Sequence, residues 1–144
     1  MTRNFSYPVT LSRGDKPGRF TVTFKDVPEA ITWGDGIEDA LWQAADCLEE
    51  AIAGRIRRGD DIPIPSRPKK GQHVIPVPAP MASKAALYLA MRDSRISKEL
   101  AKRLGCDEKE VRRLLDPRHP SKLVRIQTAL AALGKQLVVG VRAA

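Results

Sequence analysis

The 144-residue sequence predicts an α+β chain in two parts: a strand-strand-strand-helix-strand unit, then an all-helical unit closed by a short C-terminal strand. Three observations predict it. Residues 5–33 alternate apolar and polar side chains, the run that follows shifts to helical spacing, and six prolines interrupt residues 62–80. Charge changes sign across the same region. Residues 1–65 carry 8 Lys+Arg against 11 Asp+Glu, whereas residues 66–144 carry 17 against 6. The expected domains are 1–78 and 79–144.

In the front part, FSYPVTLS places Phe5, Tyr7, Val9 and Leu11 on one face, and GRFTVTFK does the same with Phe20, Val22 and Phe24. RGDKPG between them supplies turn residues, so the two runs form an antiparallel hairpin. Pro8 points outward in this register, at a bulge or a non-bonding position. A third strand, Ala30 to Trp33, ends at Gly34-Asp35-Gly36. GIEDALWQAADCLEEAIAGRIRRG then carries Ile37, Leu41, Ala44, Leu48 and Ile52 on one helical stripe, stopped by Gly59. Val74 to Val77 is a fourth strand, with Pro76 arguing for a sheet edge, and Pro78 to Pro80 is the linker. This element order begins a ribonuclease H topology. Catalysis of that kind uses converging carboxylates on metal ions, which these strands do not offer. The sequence also lacks a nucleophile signature, a zinc motif and a phosphate loop, so no enzyme, cofactor or metal is expected.

The rear part fits a helix-turn-helix that starts at Ser97. Leu100, Leu104, Cys106, Val111 and Leu114 are its buried positions, Ala101 is the small residue where two helices cross, and Gly105 makes the turn. Ser97 and Asp107 are the N-caps. On the second helix Val111, Leu114 and Leu115 turn inward and leave Lys109, Arg112 and Arg113 on the opposite side, where a groove-reading helix presents its contacts. With Ser97, Glu108 and Arg118 they make up the expected DNA-binding set. His119 is either a phosphate contact or a turn residue. Leu123, Ile126, Ala129, Leu130 and Leu133 mark another helix, and QLVVGV is an apolar strand that a second copy could cover. Such a dimer calls for a palindromic operator.

Cys47 and Cys106 fit no ligand spacing and read as buried, reduced thiols. No apolar run is long enough for a membrane span, and the N-terminus lacks a secretion signal, so the cytoplasm is the expected location.

Two stretches resemble the HicB antitoxins of type II HicA/HicB toxin-antitoxin systems. YPVTLSRGDKPGRFTVTFKDVPEAITWGDGIEDALWQAADCLEEAI is similar to their front pattern of strand, glycine turn, strand ending in Asp before Pro, Gly-Asp turn and acidic-alanine helix. ALYLAMRDSRISKELAKRLGCDEKEVRRLLDPRHPSKLVRIQTALAALGKQLVVGV resembles the helix-turn-helix that many of them carry. Gly36 and Glu29 depart from the family pattern, which tends to have a capping Thr or Ser and a Gly there. The resemblance implies a degenerate ribonuclease H-like domain that silences HicA, a small basic mRNA interferase, and a rear part that binds operator DNA as a homodimer or higher even oligomer. Asp26, Trp33 and Trp42 are the candidate toxin contacts; each Trp either anchors an interface or shields a sheet edge. A ligand-sensing repressor without a toxin and a remnant nuclease are the competing functions.

Overall fold

The computed structural model describes residues 2–94 and 97–144. They form two compact units, residues 3–82 and 83–144, here the front and rear units. The boundary falls four residues beyond the expected one, because the proline-rich linker does not stay extended. Ala79 and Pro80 already belong to a helix, whose first turn tolerates a proline that has no N–H to donate.

The front unit is a four-stranded antiparallel sheet carrying one long helix. Strands β1 (Ser6–Arg13), β2 (Arg19–Thr23) and β3 (Ile31–Asp35) precede helix α1 (Ile37–Arg58), and β4 (His73–Pro76) follows it. The spatial order is β3-β2-β1-β4, so β4 lies at an edge as Pro76 required. The register accounts for both strand prolines. Val77 donates to the Phe5 carbonyl at 2.8 Å, one pair beyond the β1–β4 ladder, so Tyr7↔Ile75 and Val9↔His73 are the hydrogen-bonded pairs. Pro8↔Val74 and Ser6↔Pro76 are then non-bonded pairs, where a missing N–H costs nothing. Pro8 is nevertheless buried, although it lies on the face away from α1.

Alternation puts Tyr7, Val9, Val22 and Phe24 into the core beneath Ala44, Leu48, Ile52 and Ile56 of α1. The buried stripe of α1 begins at Ala40 and not at Ile37, which is half exposed at the helix start. Gly34 explains the close fit of helix and sheet: a Cβ there would lie 2.4 Å from the Ala40 backbone. Gly59, at φ +74°, ends α1 in the left-handed conformation and donates to the Ile56 carbonyl. The chain after α1 is tied down by Tyr7, whose hydroxyl donates to the Pro63 carbonyl at 2.7 Å. Burial raises the Tyr7 pKa.

The rear unit holds most of α2 (Ala79–Ser94), then α3 (Ser97–Leu104), α4 (Glu108–Leu115) and α5 (Leu123–Ala132). Leu87, Leu100, Ala101, Val111, Leu114, Ile126 and Leu130 form its core. The helix α2 was not anticipated, since its apolar positions lack a single clean stripe. The expected C-terminal strand is not formed: residues 135–144 have no secondary structure, and Val138, Val139 and Val141 are exposed. A single edge segment cannot satisfy its own ladder, so within one chain this stretch has nothing to pair with. Both cysteines are free but only half-buried. No helix among the described residues is long and apolar enough to cross a membrane.

Candidate functional site

In the rear unit, α3 and α4 are joined by a tight turn in which Gly105 adopts φ +64°. Leu100, Ala101, Val111 and Leu114 are buried as their spacing required, and Leu104, Cys106 and Leu115 are partly buried beside them. Asp107 caps α4, its carboxylate accepting the Glu110 N–H at 2.9 Å. This orientation leaves Glu108, Lys109, Arg112 and Arg113 exposed along one helix. Arg113 lies 3.4 Å from Glu110, whose other oxygen is 3.9 Å from Arg125. Among the described residues, Lys109 and Arg112 are committed to no ion pair. Arg118 is exposed in the turn beyond α4, where its N–H donates to the Asp116 carboxylate at 3.0 Å. His119 lies in the same turn, its main-chain N–H donating to the Asp116 carbonyl and its ring beside the Ser121 hydroxyl. Ser97 begins α3, but its side chain, and with it the expected cap, lies outside the described residues.

One residue of this site escaped the sequence reading. Lys84, on α2, is 4% exposed, and its ammonium donates to the carbonyls of Arg113 at 3.0 Å and Asp116 at 2.6 Å and to the Ser121 hydroxyl at 3.0 Å. A cation is thus fixed on the carbonyl end of α4, where the helix dipole favours it. Burial lowers its pKa, and the nearby Asp116 partly offsets this. Asp107 at one end and Lys84 at the other thus hydrogen-bond both ends of α4. The available signal was a lone lysine amid the apolar residues of α2.

In the front unit, the three candidate contacts have different surroundings. The Asp26 carboxylate is occupied by Ser66, accepting from its N–H at 2.8 Å and from its hydroxyl, so it anchors the chain between α1 and β4. Trp33 lies on the sheet face away from α1, under the Arg19 guanidinium at 3.8 Å from the ring centroid. Arg19 in turn pairs with Asp35 at 2.9 Å and with Asp15 at 3.5 Å. The Asp35 carboxyl is held below its ordinary range by that hydrogen bond. Among the described residues Trp42 has no such partner: it is 69% exposed on α1 and shares a shallow concavity with Asp35, Gly36, Ile37, Glu38 and Asp39. Glu38 and Asp46 lie one turn to either side of it. Among the described residues, no three His, Cys, Asp or Glu side chains converge as a metal site would require.

Residues 6–86 match the model of the HicB-like antitoxins of bacterial toxin-antitoxin systems. Antitoxin HicB 1 of Photorhabdus laumondii is 38% identical over 140 residues, covering 96% of this chain and 88% of the relative. Antitoxin HicB of Escherichia coli K12 is 39% identical over 132 residues, covering 91% and 95%. Antitoxin HicB of Pseudomonas fluorescens is 32% identical over 146 residues, covering the full length of both. A family match over more than half of the chain, and relatives this similar along nearly its whole length, show that the chain belongs to the HicB antitoxin family.

Proposed function

We propose that this antitoxin neutralises a small RNA-cleaving toxin of the HicA type with its front unit and represses its own operon with its rear unit. The observation that carries the second half is α4, which presents Lys109, Arg112 and Arg113 to solvent while Asp107 and Lys84 fix its ends. This is the arrangement of a helix-turn-helix reading helix, with guanidinium groups able to engage guanine and lysine a phosphate. Glu108 in the first turn of that helix, Arg118 beyond its end and Ser97 at the start of α3 complete the proposed contact. Residues 66–144 carry 17 Lys+Arg against 6 Asp+Glu, as phosphate binding demands.

For the front unit, the element order and the resemblance support a degenerate ribonuclease H-like domain. Asp35 at the end of β3 and Asp15 in the hairpin loop are engaged by Arg19, and Asp26 beyond β2 by Ser66, which suits a binding module that performs no cleavage. The exposed valines of residues 135–144 suit pairing with a second copy on a palindromic operator. Both proposed partners, a toxin acting on messenger RNA and operator DNA, would be met in the cytoplasm, the location that goes with this reading.

The test is co-expression with the reading frame adjacent to its gene. That frame's product is expected to arrest growth alone, to be silenced by this chain and to co-purify with it. A neighbour that neither arrests growth nor binds would overturn the reading.

A further inference from the structure

The register of β3 disfavours one common mode of partner recognition and favours another. Gly36 donates to the Gly18 carbonyl at 2.7 Å, one pair beyond the β2–β3 ladder, which makes Arg19↔Asp35, Thr21↔Trp33 and Thr23↔Ile31 the non-bonded pairs. The main-chain groups of Ile31, Trp33 and Asp35 therefore point to the open edge of the sheet. Two of them are already taken by side chains of α1. The Asp39 carboxylate accepts the Asp35 N–H at 2.9 Å, and the Cys47 thiol contacts the Ile31 carbonyl at 3.6 Å. An edge closed at both ends by its own helix is a poor template for an added strand.

What α1 exposes instead is a stripe at helical spacing: Glu38, Trp42 and Asp46, with Ile37 beside it and Glu49 beyond. Trp42 and Ile37 are 69% and 50% exposed, an apolar pair for which the fold itself supplies no cover. Further along the stripe, Glu49 has its pKa raised by burial and by the repulsion of Asp46 and Glu50. A cationic partner would relieve that repulsion.

We propose that the front unit holds its protein partner by side-chain docking on this stripe. Trp42 and Ile37 enter an apolar slot of the partner, and Glu38 and Asp46 face basic residues on the rim of that slot. This rests on the reading that the front unit binds the toxin, and it names the surface and the chemistry required of the partner. Asp26 and the β3 edge have no part in it. Charge complementarity selects the occupant: an acidic helix around an exposed tryptophan suits a basic protein and disfavours a second acidic front unit.

The experiment measures binding of the full-length chain to the purified, inactivated product of the adjacent reading frame. Trp42→Ala is expected to weaken binding by at least about 30-fold, as loss of a central aromatic anchor does. Its melting temperature should match that of the unaltered protein, because so exposed a side chain contributes little to stability. Glu38→Lys should slow association and flatten its salt dependence. Unchanged affinity in Trp42→Ala would overturn the proposal while leaving the function intact. Conversion of an oligomer of this chain to a smaller species by Trp42→Ala would assign the stripe to a second copy and overturn it as well. Failure of the unaltered chain to bind would remove the reading and the proposal together.

Discussion

Replacing Lys84 by Met retains the apolar stem and removes three hydrogen bonds, at 3.0, 2.6 and 3.0 Å, from the end of α4. Hydrogen bonds to a charged group are each worth about 1.5–3 kcal/mol by mutation, but they are not additive here, and the buried ammonium carries a desolvation cost of several kcal/mol that Met does not. The two oppose one another, and both carbonyls keep a backbone donor, from Asp116 at 3.2 Å and from His119 at 3.1 Å, so the rear unit should lose only about 2 kcal/mol, the net of the charged hydrogen bonds over that desolvation. For a unit of this size that lowers the melting temperature by roughly 8–16 °C. The assay is thermal unfolding followed by circular dichroism, with Lys102→Met, on the exposed side of α3, as the neutral comparison. Operator affinity, measured where both variants remain folded, should also fall for Lys84→Met, because the last turn of α4 carries Arg112 and Arg113. A Lys84→Met protein as stable as the unaltered one would show that the clamp contributes nothing and that α4 is set by its apolar face alone.

Three further outcomes are expected. Gly34→Ala should destabilise the front unit by at least about 3 kcal/mol, because its Cβ would meet Ala40 backbone atoms at 2.4 Å and no side chain can yield; urea unfolding checks this, and a change under about 0.5 kcal/mol would refute the close packing of α1 on β3. Glu29 binds Arg55 through both oxygens, at 2.6 and 2.9 Å, and its pKa is lowered chiefly by that hydrogen bond from an ordinary value of 4.5. A lowered carboxyl pKa gives stability that is present above 4.5 and lost as pH falls through the folded-state value, so the advantage over Glu29→Gln, about 0.5–1 kcal/mol for so exposed a pair, should hold at pH 7 and vanish in acid, as denaturant midpoints across pH will show. Val139→Asp with Val141→Asp should yield a monomer that binds the operator more weakly, read by light scattering and gel shift; an unaltered dimer would place the self-association elsewhere.

How much was legible depended on the reach of each interaction. The hairpin, α1 and the α3–α4 turn followed from period-two and helical spacing together with Gly59, Gly105 and Asp107, all of which act within a few residues. Even Pro8 and Pro76 were readable as positions that need no N–H. Lys84 was not, because its meaning lies in carbonyls 29 and 32 residues further along the chain. That Asp26 holds the chain at Ser66 was hidden for a similar reason, its partner being 40 residues away. Ile37 obeyed the helical period but falls in the first turn, where α1 extends beyond the sheet core. The QLVVGV run has the pattern of a strand, yet pattern alone supplies no neighbour to pair with.

A chain that carries two separable surfaces should lose one and keep the other in the Arg112→Ala, Arg113→Ala double variant. Both side chains are exposed, so the fold should persist. Operator affinity at moderate salt should fall by roughly 1–3 kcal/mol for each arginine that reads a base. Growth arrest by the partner toxin should still be suppressed as fully as by the unaltered chain. Operator binding that survives the double substitution, or toxin neutralisation lost with it, would contradict the account.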